Sequence, residues 1–277
     1  MIRIGIVGTE SSHARAFAKL FNIEEKFDGF RVTAVLEDEK LRTKSLAQEY
    51  FIESIYTDIY TMAQNVDVAM VLNRDANLHK QYSIPFIENK VPVWIDKPFA
   101  LTVKDASEMI SLAKKFNVFI TGGSTCIYLP ILDEIKQCLS NKSIMGDIQG
   151  AYMDFLADFD NLNGGMIFYG THLIEMALNI FGYNPVGIKS LRSNYTCVIV
   201  FEYETYDVTL RLLNNIDSYN IIINGSKSTK NFTLNINDSY KYGLEAFVRM
   251  INKDVGYIEE HGKRLMKSIE IFEKIIP

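Results

Sequence analysis

The chain has 277 residues, 48% of them hydrophobic, and a formal net charge of −5. That length accommodates about two domains with sizeable cores. The mixed charge, with no basic tract, excludes a nucleic-acid binder, and no apolar run reaches the roughly 18 residues of a bilayer-spanning helix. Cys126, Cys138 and Cys197 are odd in number and widely spaced, which offers neither a disulfide framework nor a zinc site, so no metal is expected. With no signal-peptide pattern at the N-terminus, these features predict a cytoplasmic protein with no membrane association.

Taken in chain order, Met1–Val7 alternates Ile2, Ile4 and Ile6 at strand spacing. Gly8-Thr9-Glu10-Ser11-Ser12 is a turn with two serines suited to cap a helix, and Ala14, Phe17, Ala18 and Phe21 follow at helical spacing. A second strand, Val32–Leu36, ends in Glu37-Asp38. Strand, turn, helix and strand-end acid form the first unit of a dinucleotide-binding fold, with the helix N-terminus for the pyrophosphate and Glu37 for the ribose. Asp38 beside it would repel a 2′-phosphate, which favours NAD while leaving NADP possible. The glycine fingerprint is altered: Gly8 is kept, but Glu10 stands at the second glycine position and His13 at the third.

Further on, the spacing predicts a helix over 41–50, a short strand at 54–56, and an apolar strand over 66–72 interrupted only by Asp67. It then predicts a helix over 79–89, a strand at Trp94, a helix around Ala106–Ala113 and a sixth strand at 118–121, before Gly122-Gly123. That alternation argues for a doubly wound parallel sheet over 1–122. After a linking helix over 128–139, strands are expected at 148–156, 186–192, 196–203, 207–213, 219–223 and 232–236. One helix, 171–181, falls among them, and two more, 244–252 and 259–275, close the chain. The second half, 123–277, therefore reads as an α+β domain with a large open, mostly antiparallel sheet. Apolar residues on both faces of that sheet, as in Tyr219–Ile223, predict a homodimer or homotetramer formed through it.

Two stretches carry chemistry. Val91–Pro98 is a short buried strand ending in Asp96-Lys97-Pro98. Proline cannot extend a ladder, so Lys97 is presented at the strand's carboxyl end, the ligand edge of an open α/β sheet. The second stretch runs from Gly164-Gly165 to Glu175. His172 opens its helix and is suited to proton transfer, with Glu175 three positions on along the same face. His79 either borders the nicotinamide cleft or simply starts its helix, and His261, on a polar segment, reads as surface. The oxidoreductase reading requires Lys97 and His172 to converge beside a bound nicotinamide.

The order Ile-Gly-Ile-Val-Gly8, Val-Thr-Ala-Val-Leu-Glu37, Asp67-Val-Ala-Met-Val-Leu, Asn77-Leu-His79 and Trp-Ile-Asp-Lys-Pro98 resembles the glucose–fructose oxidoreductase/inositol dehydrogenase (Gfo/Idh/MocA) family. The glycine pair, histidine and Phe-Gly ending of 164–182 resemble its second signature. The resemblance implies hydride transfer between NAD or NADP and a sugar, inositol or related polyol or carbonyl compound. It implies catalytic roles for Lys97 and His172 and substrate contacts from Lys97, Tyr169, His172 and Glu175. The cofactor-binding set is Gly8, Thr9, Glu10, Ser11, Ser12, Glu37, Asn73, His79, Asp96 and Lys97. Three departures stand out: Asp96 where the family usually has Glu, Asn73-Arg74 where it has Thr-Pro, and Phe168 where it has a catalytic aspartate. They imply slow or narrow activity, and the alternative reading is a catalytically weakened or non-enzymatic ligand-binding or scaffold member of the same fold.

Overall fold

Ile4, Ile6 and Val7 have no exposed surface, so the first strand is central from the outset. The computed structural model describes residues 1–275, in which β1 (Ile2–Val7), α1 (Ser12–Asn22), β2 (Phe30–Leu36), α2 (Lys40–Glu49), β3 (Ser54–Tyr56), α3 (Ile59–Ala63), β4 (Val68–Val71), α4 (His79–Glu88), β5 (Val93–Ile95), α5 (Val103–Phe116) and β6 (Ile120–Gly122) alternate. The strands form one parallel sheet in the order β3-β2-β1-β4-β5-β6. Every residue of β4 and β5 is buried, the pattern of a sheet covered on both faces. The order reverses between β1 and β4, and such a switch point opens the ligand crevice at the strands' carboxyl ends. Asp67 precedes β4 and pairs with Arg3 at 2.8 Å, so the one acid in the apolar run stays at the margin of the sheet. Thr102 caps α5 by accepting the Asp105 N–H at 3.1 Å, and Asn117, in the left-handed region, ends it.

The second unit holds α6 (Pro130–Ser140), α7 (Lys142–Met145), β7 (Ile148–Ala157), α8 (Met166–Phe181), β8 (Gly187–Arg192), β9 (Thr196–Glu202), β10 (Asp207–Asn214), β11 (Asn220–Gly225) and β12 (Thr229–Thr233). Its sheet runs β12-β11-β7-β10-β9-β8, antiparallel except for the β7–β10 pair. Burial alternates along β7, β9 and β10, with Met153, Phe155, Ile199, Phe201, Leu210 and Leu212 on the closed face. Helix α8 packs on that face; a Cβ at Gly170 would come within 3.0 Å of the Leu212 side chain, so the glycine permits the close approach. On the opposite face Tyr152, Leu191 and Ile222 are 47%, 75% and 36% exposed.

Three local differences from the sequence reading have simple causes. Helix α8 begins at Met166 rather than Thr171, because Gly164 and Gly165, both at positive φ, end the preceding loop and leave the rest helical. The last strand is Thr229–Thr233 rather than 232–236, with its register set by the turn at Gly225–Ser228. Helices α3 and α7 were not expected; they are too short to show a periodicity, and Asp58 and Asn141 cap them.

Two helices close the chain, α9 (Ser239–Ile251) and α10 (Glu259–Ile275). The sequence reading places both with the second half. In the structure Tyr240–Ile269 packs within the first unit, where Phe247 lies 5.7 Å from Trp94 and 6.0 Å from Phe119, and where Leu265 and Ile269 join the core. Glu270–Ile275 packs with the second unit.

Candidate functional site

Within the first unit, the cofactor-side residues gather at the carboxyl ends of β1, β2, β4 and β5. Gly8 has φ +90°, and a Cβ there would sit 2.3 Å from the Asn73 amide, so only glycine lets this turn run against the loop after β4. Thr9 is buried; its N–H donates to Asp38 Oδ2 at 2.6 Å and its hydroxyl also meets the Asp38 carboxylate. Thr43 Oγ1 and the Glu39 N–H add bonds of 3.0 and 2.7 Å to Asp38 Oδ1. Burial works to raise the Asp38 pKa, but the bonds from Thr9 and its neighbours outweigh it and hold the group below the usual carboxylate range. Asp38 is thus the acid fastened to the turn, whereas Glu37 follows β2, half-buried, with its N–H on the Tyr56 carbonyl at 2.7 Å.

Glu10, at the second glycine position, accepts the Arg74 N–H at 3.0 Å, and its carboxyl lies against that of Asp38. Burial, then Asp38, pushes the Glu10 pKa up. Pressing two carboxyls together favours one negative charge over two, so the charge this turn presents to a pyrophosphate is reduced. Ser11 caps α1, its Oγ accepting the His13 N–H at 3.2 Å, while Ser12 is exposed.

His13, at the third glycine position, is buried and places Nδ1 2.7 Å from Asp96 Oδ2, with the Tyr240 ring edge-on at 4.7 Å. Asp96 is 3% exposed. Burial pushes its pKa up, but the charge and hydrogen bond of His13, with the charge and backbone N–H of Lys97, leave it below the usual value. Lys97 is itself only 3% exposed, at the end of β5 before a cis Lys97–Pro98 bond; it is not a solvated surface lysine.

His79 has no exposed surface; Nε2 lies 2.8 Å from the Asn73 carbonyl and Nδ1 3.3 Å from that of Phe99. It ties the loop after β4 to the loop after Pro98, so it supports the site from behind. His261, read from sequence as surface, lies against Phe119 with Nδ1 2.8 Å from Thr121 Oγ1. Burial, then the charge of Arg264, pulls its pKa down to about 4. Arg264, 5% exposed, donates to the Gly122 carbonyl at 2.9 Å, so α10 clamps the end of β6.

In the second unit, His172 lies in the second turn of α8 rather than opening it. Its Nδ1 is 2.7 Å from Ser124 Oγ, and the Phe155 ring lies 5.6 Å away. Glu175 is fully buried and accepts the Ser124 N–H at 3.2 Å. One residue, Ser124, therefore holds both members of the expected pair. Phe168 is buried edge-on to Tyr169 at 5.2 Å. Tyr219 stands 4.9 Å from Phe155; burial, with smaller contributions from Asp217, Cys126 and Tyr169, pushes its pKa up to about 12. Sequence reasoning missed Ser124, the engagement of His13 with Asp96, and the fastening of Asp38 to Thr9 and Thr43. The signals were present in the serine after Gly122-Gly123 and the histidine in place of a fingerprint glycine, but their partners are remote in sequence.

Residues 2–123 match the model of the oxidoreductase family GFO_IDH_MocA, described as an NAD-binding Rossmann fold. Over this stretch, which is less than half of its length, the chain is similar to the Gfo/Idh/MocA oxidoreductases. It is similar to scyllo-inositol 2-dehydrogenase (NADP(+)) IolU of Bacillus subtilis, at 26% identity over 69% of this chain and 61% of that one. It is also similar to trans-1,2-dihydrobenzene-1,2-diol dehydrogenase of Xenopus tropicalis, at 25% identity over 45% and 38%. The alignments thus span less than two thirds of these curated relatives' length. In fold it matches a probable dehydrogenase from Thermotoga maritima with a TM-score of 0.84 and 17% identity, covering 99% of this chain and 96% of that one.

The model matched by residues 2–123 is of an NAD-binding fold, and the turn after β1 fits a nicotinamide dinucleotide. The close approach at Gly8 and the Ser11-capped start of α1 supply a tight turn leading into a helix N-terminus, and Asp38 places an acid beside that turn. Among the described residues no group of three or more His, Cys, Asp or Glu could hold a metal ion, and no helix is long and apolar enough to cross a membrane.

Proposed function

We propose that this chain is an NAD(P)-dependent oxidoreductase acting on a CH–OH group of a sugar, an inositol or a related polyol, or on the matching carbonyl. The observation that carries the reading is Lys97: a lysine almost without exposed surface, at the carboxyl end of a parallel strand in an NAD-binding fold, with its main-chain N–H on a buried, ionised Asp96. The dinucleotide, when bound, supplies the hydride acceptor or donor. The Lys97 ammonium is suited to stabilise the alkoxide charge of a reacting hydroxyl, and the His172 imidazole to take or return a hydroxyl proton. Phe155, Tyr169 and Tyr219 in the second unit offer apolar faces for the carbon side of a polyol ring. The test is a panel of cyclic polyols, aldoses and keto-sugars with NAD and NADP, followed by the absorbance of the reduced nicotinamide. Turnover of at least one polyol or sugar supports the reading, and activity confined to substrates of another class contradicts it.

Asp38 sets the cofactor preference in this reading. A 2′-phosphate brought near a fastened carboxylate meets like charge, worth about 1–4 kcal/mol at contact range. Asp38→Ser is expected to raise kcat/KM with NADP relative to NAD by about tenfold or more. An unchanged ratio would place the ribose elsewhere.

The protein is proposed to act as a small-molecule enzyme in the cytoplasm and to pair through the open face of its second sheet. Tyr152, Ile222 and Leu191 lie exposed there around the Asp154–Arg211 pair, which closes at 2.7 Å. Tyr152→Glu is expected to convert a dimer or tetramer into a smaller species in light scattering at micromolar concentration. A wild-type monomer under those conditions would contradict the pairing.

A further inference from the structure

Ser124 is fully buried at the start of a short turn, and its Oγ accepts the Cys126 N–H at 3.1 Å. The same oxygen lies 2.7 Å from His172 Nδ1. Its main-chain N–H donates to Glu175 Oε2 at 3.2 Å, so Ser124 fastens α8 at two positions on one face. One turn before His172 the helix carries Phe168, whose side chain has no oxygen. We infer that Ser124 is the positioning residue of His172, holding Nδ1 so that Nε2 is the nitrogen that exchanges a proton with the substrate hydroxyl.

The chemistry of a hydroxyl makes this more than a tether. A serine oxygen has two acceptor sites and one proton. With one site occupied by the Cys126 N–H, the other accepts Nδ1–H when the ring is poised as a base at Nε2. When Nε2 has taken a proton the imidazolium keeps Nδ1–H, and the same serine oxygen goes on accepting it. Ser124 therefore keeps the ring orientation through both protonation patterns, which suits a group that must be an acid in one direction and a base in the other. The Phe155 ring at 5.6 Å limits tilting of the imidazole.

This inference rests on the reading of His172 as the proton-transfer group, and the experiment separates the two. Histidine-selective ¹⁵N labelling of the full chain reads the ring nitrogens directly, with His172 assigned by its loss in His172→Gln. The expected wild-type spectrum shows two distinct His172 nitrogens, with Nδ1 shifted by its hydrogen bond. In Ser124→Ala the two move toward the tautomer average, kcat falls roughly tenfold, the change produced by a lost hydrogen bond, and KM stays within about twofold. Ser124→Thr, which keeps the hydroxyl, restores the spectrum and most of kcat. Averaged nitrogens in the wild type, or an unchanged pattern in Ser124→Ala, overturn the positioning role whether or not the variants are active. Full kcat in His172→Gln removes the histidine from the chemistry, and with it Ser124's catalytic importance, while leaving the spectrum of the wild type as described.

Discussion

Lys97→Ala is expected to lower kcat/KM by about 10²–10⁴-fold, with most of the loss in kcat. The ammonium is asked to meet charge that appears on the substrate oxygen only as the proton and hydride leave, and an interaction made in the transition state lowers kcat when it is removed. The side chain is almost wholly buried, so it acts where water screens little. Lys97→Arg is expected to recover only a small part, because a planar fork cannot replace a compact ammonium in a closed space. Circular dichroism and the thermal midpoint check that the variants fold. An unchanged kcat/KM in a folded Lys97→Ala would take the lysine out of the mechanism.

The second large effect concerns stability. His13 and Asp96 form a buried pair at 2.7 Å, far apart in sequence, which joins the start of α1 to the end of β5. Removing one partner leaves a buried polar group uncompensated, so His13→Ala or Asp96→Ala is expected to lower the unfolding free energy by about 3–5 kcal/mol. Urea unfolding measures it. The double variant is expected to lose much less than the sum of the singles, because each single loss includes the stranded partner; strict additivity would contradict the pair. The pH dependence has a definite sign. The folded pKa of Asp96 lies below its ordinary value of 3.8, so its contribution is complete above that value and is lost as pH falls through the folded one. The gap between wild type and Asp96→Asn is therefore expected to close in strong acid and to stay open at neutral pH. Because Asp96 also holds the Lys97 main chain, the same substitution is expected to lower kcat.

Much of the first sheet was legible because parallel strands declare themselves locally. The apolar runs of β4 and β5, bounded by turns and helices, have few other readings, and the proline after Lys97 fixes where β5 stops. The alternating burial of β7, β9 and β10 likewise follows a period that the sequence carries. The destination of α9 and α10 was not legible. An amphipathic helix shows that it has an apolar face but not which sheet that face will cover, and Phe247 meets Trp94 through a contact that spans most of the chain.

The site divides the same way. Gly8, Asp96, Lys97 and His172 are marked by residue type and position in a motif. What holds them is not. His13 looks like a damaged fingerprint until Asp96 is placed beside it, and Glu10 looks like a carboxylate facing a pyrophosphate until the Arg74 N–H and Asp38 are seen to occupy it. Asp38 and Glu37 are adjacent acids, and only the structure shows that Thr9 and Thr43 fasten the first of them to the turn. Ser124 carries no signal of its own beyond following two glycines; its role exists only because the turn it begins lies beside α8.

The account stands on dinucleotide binding by this altered turn, and a titration with NADH and with NADPH tests it most directly. Trp94, the only tryptophan, is fully buried in β5 and reports a bound reduced nicotinamide by energy transfer. The predicted result is saturable quenching of Trp94 with sensitised nicotinamide emission at micromolar NADH, and weaker binding of NADPH. No change with either dinucleotide at millimolar concentration would contradict the oxidoreductase reading at its root.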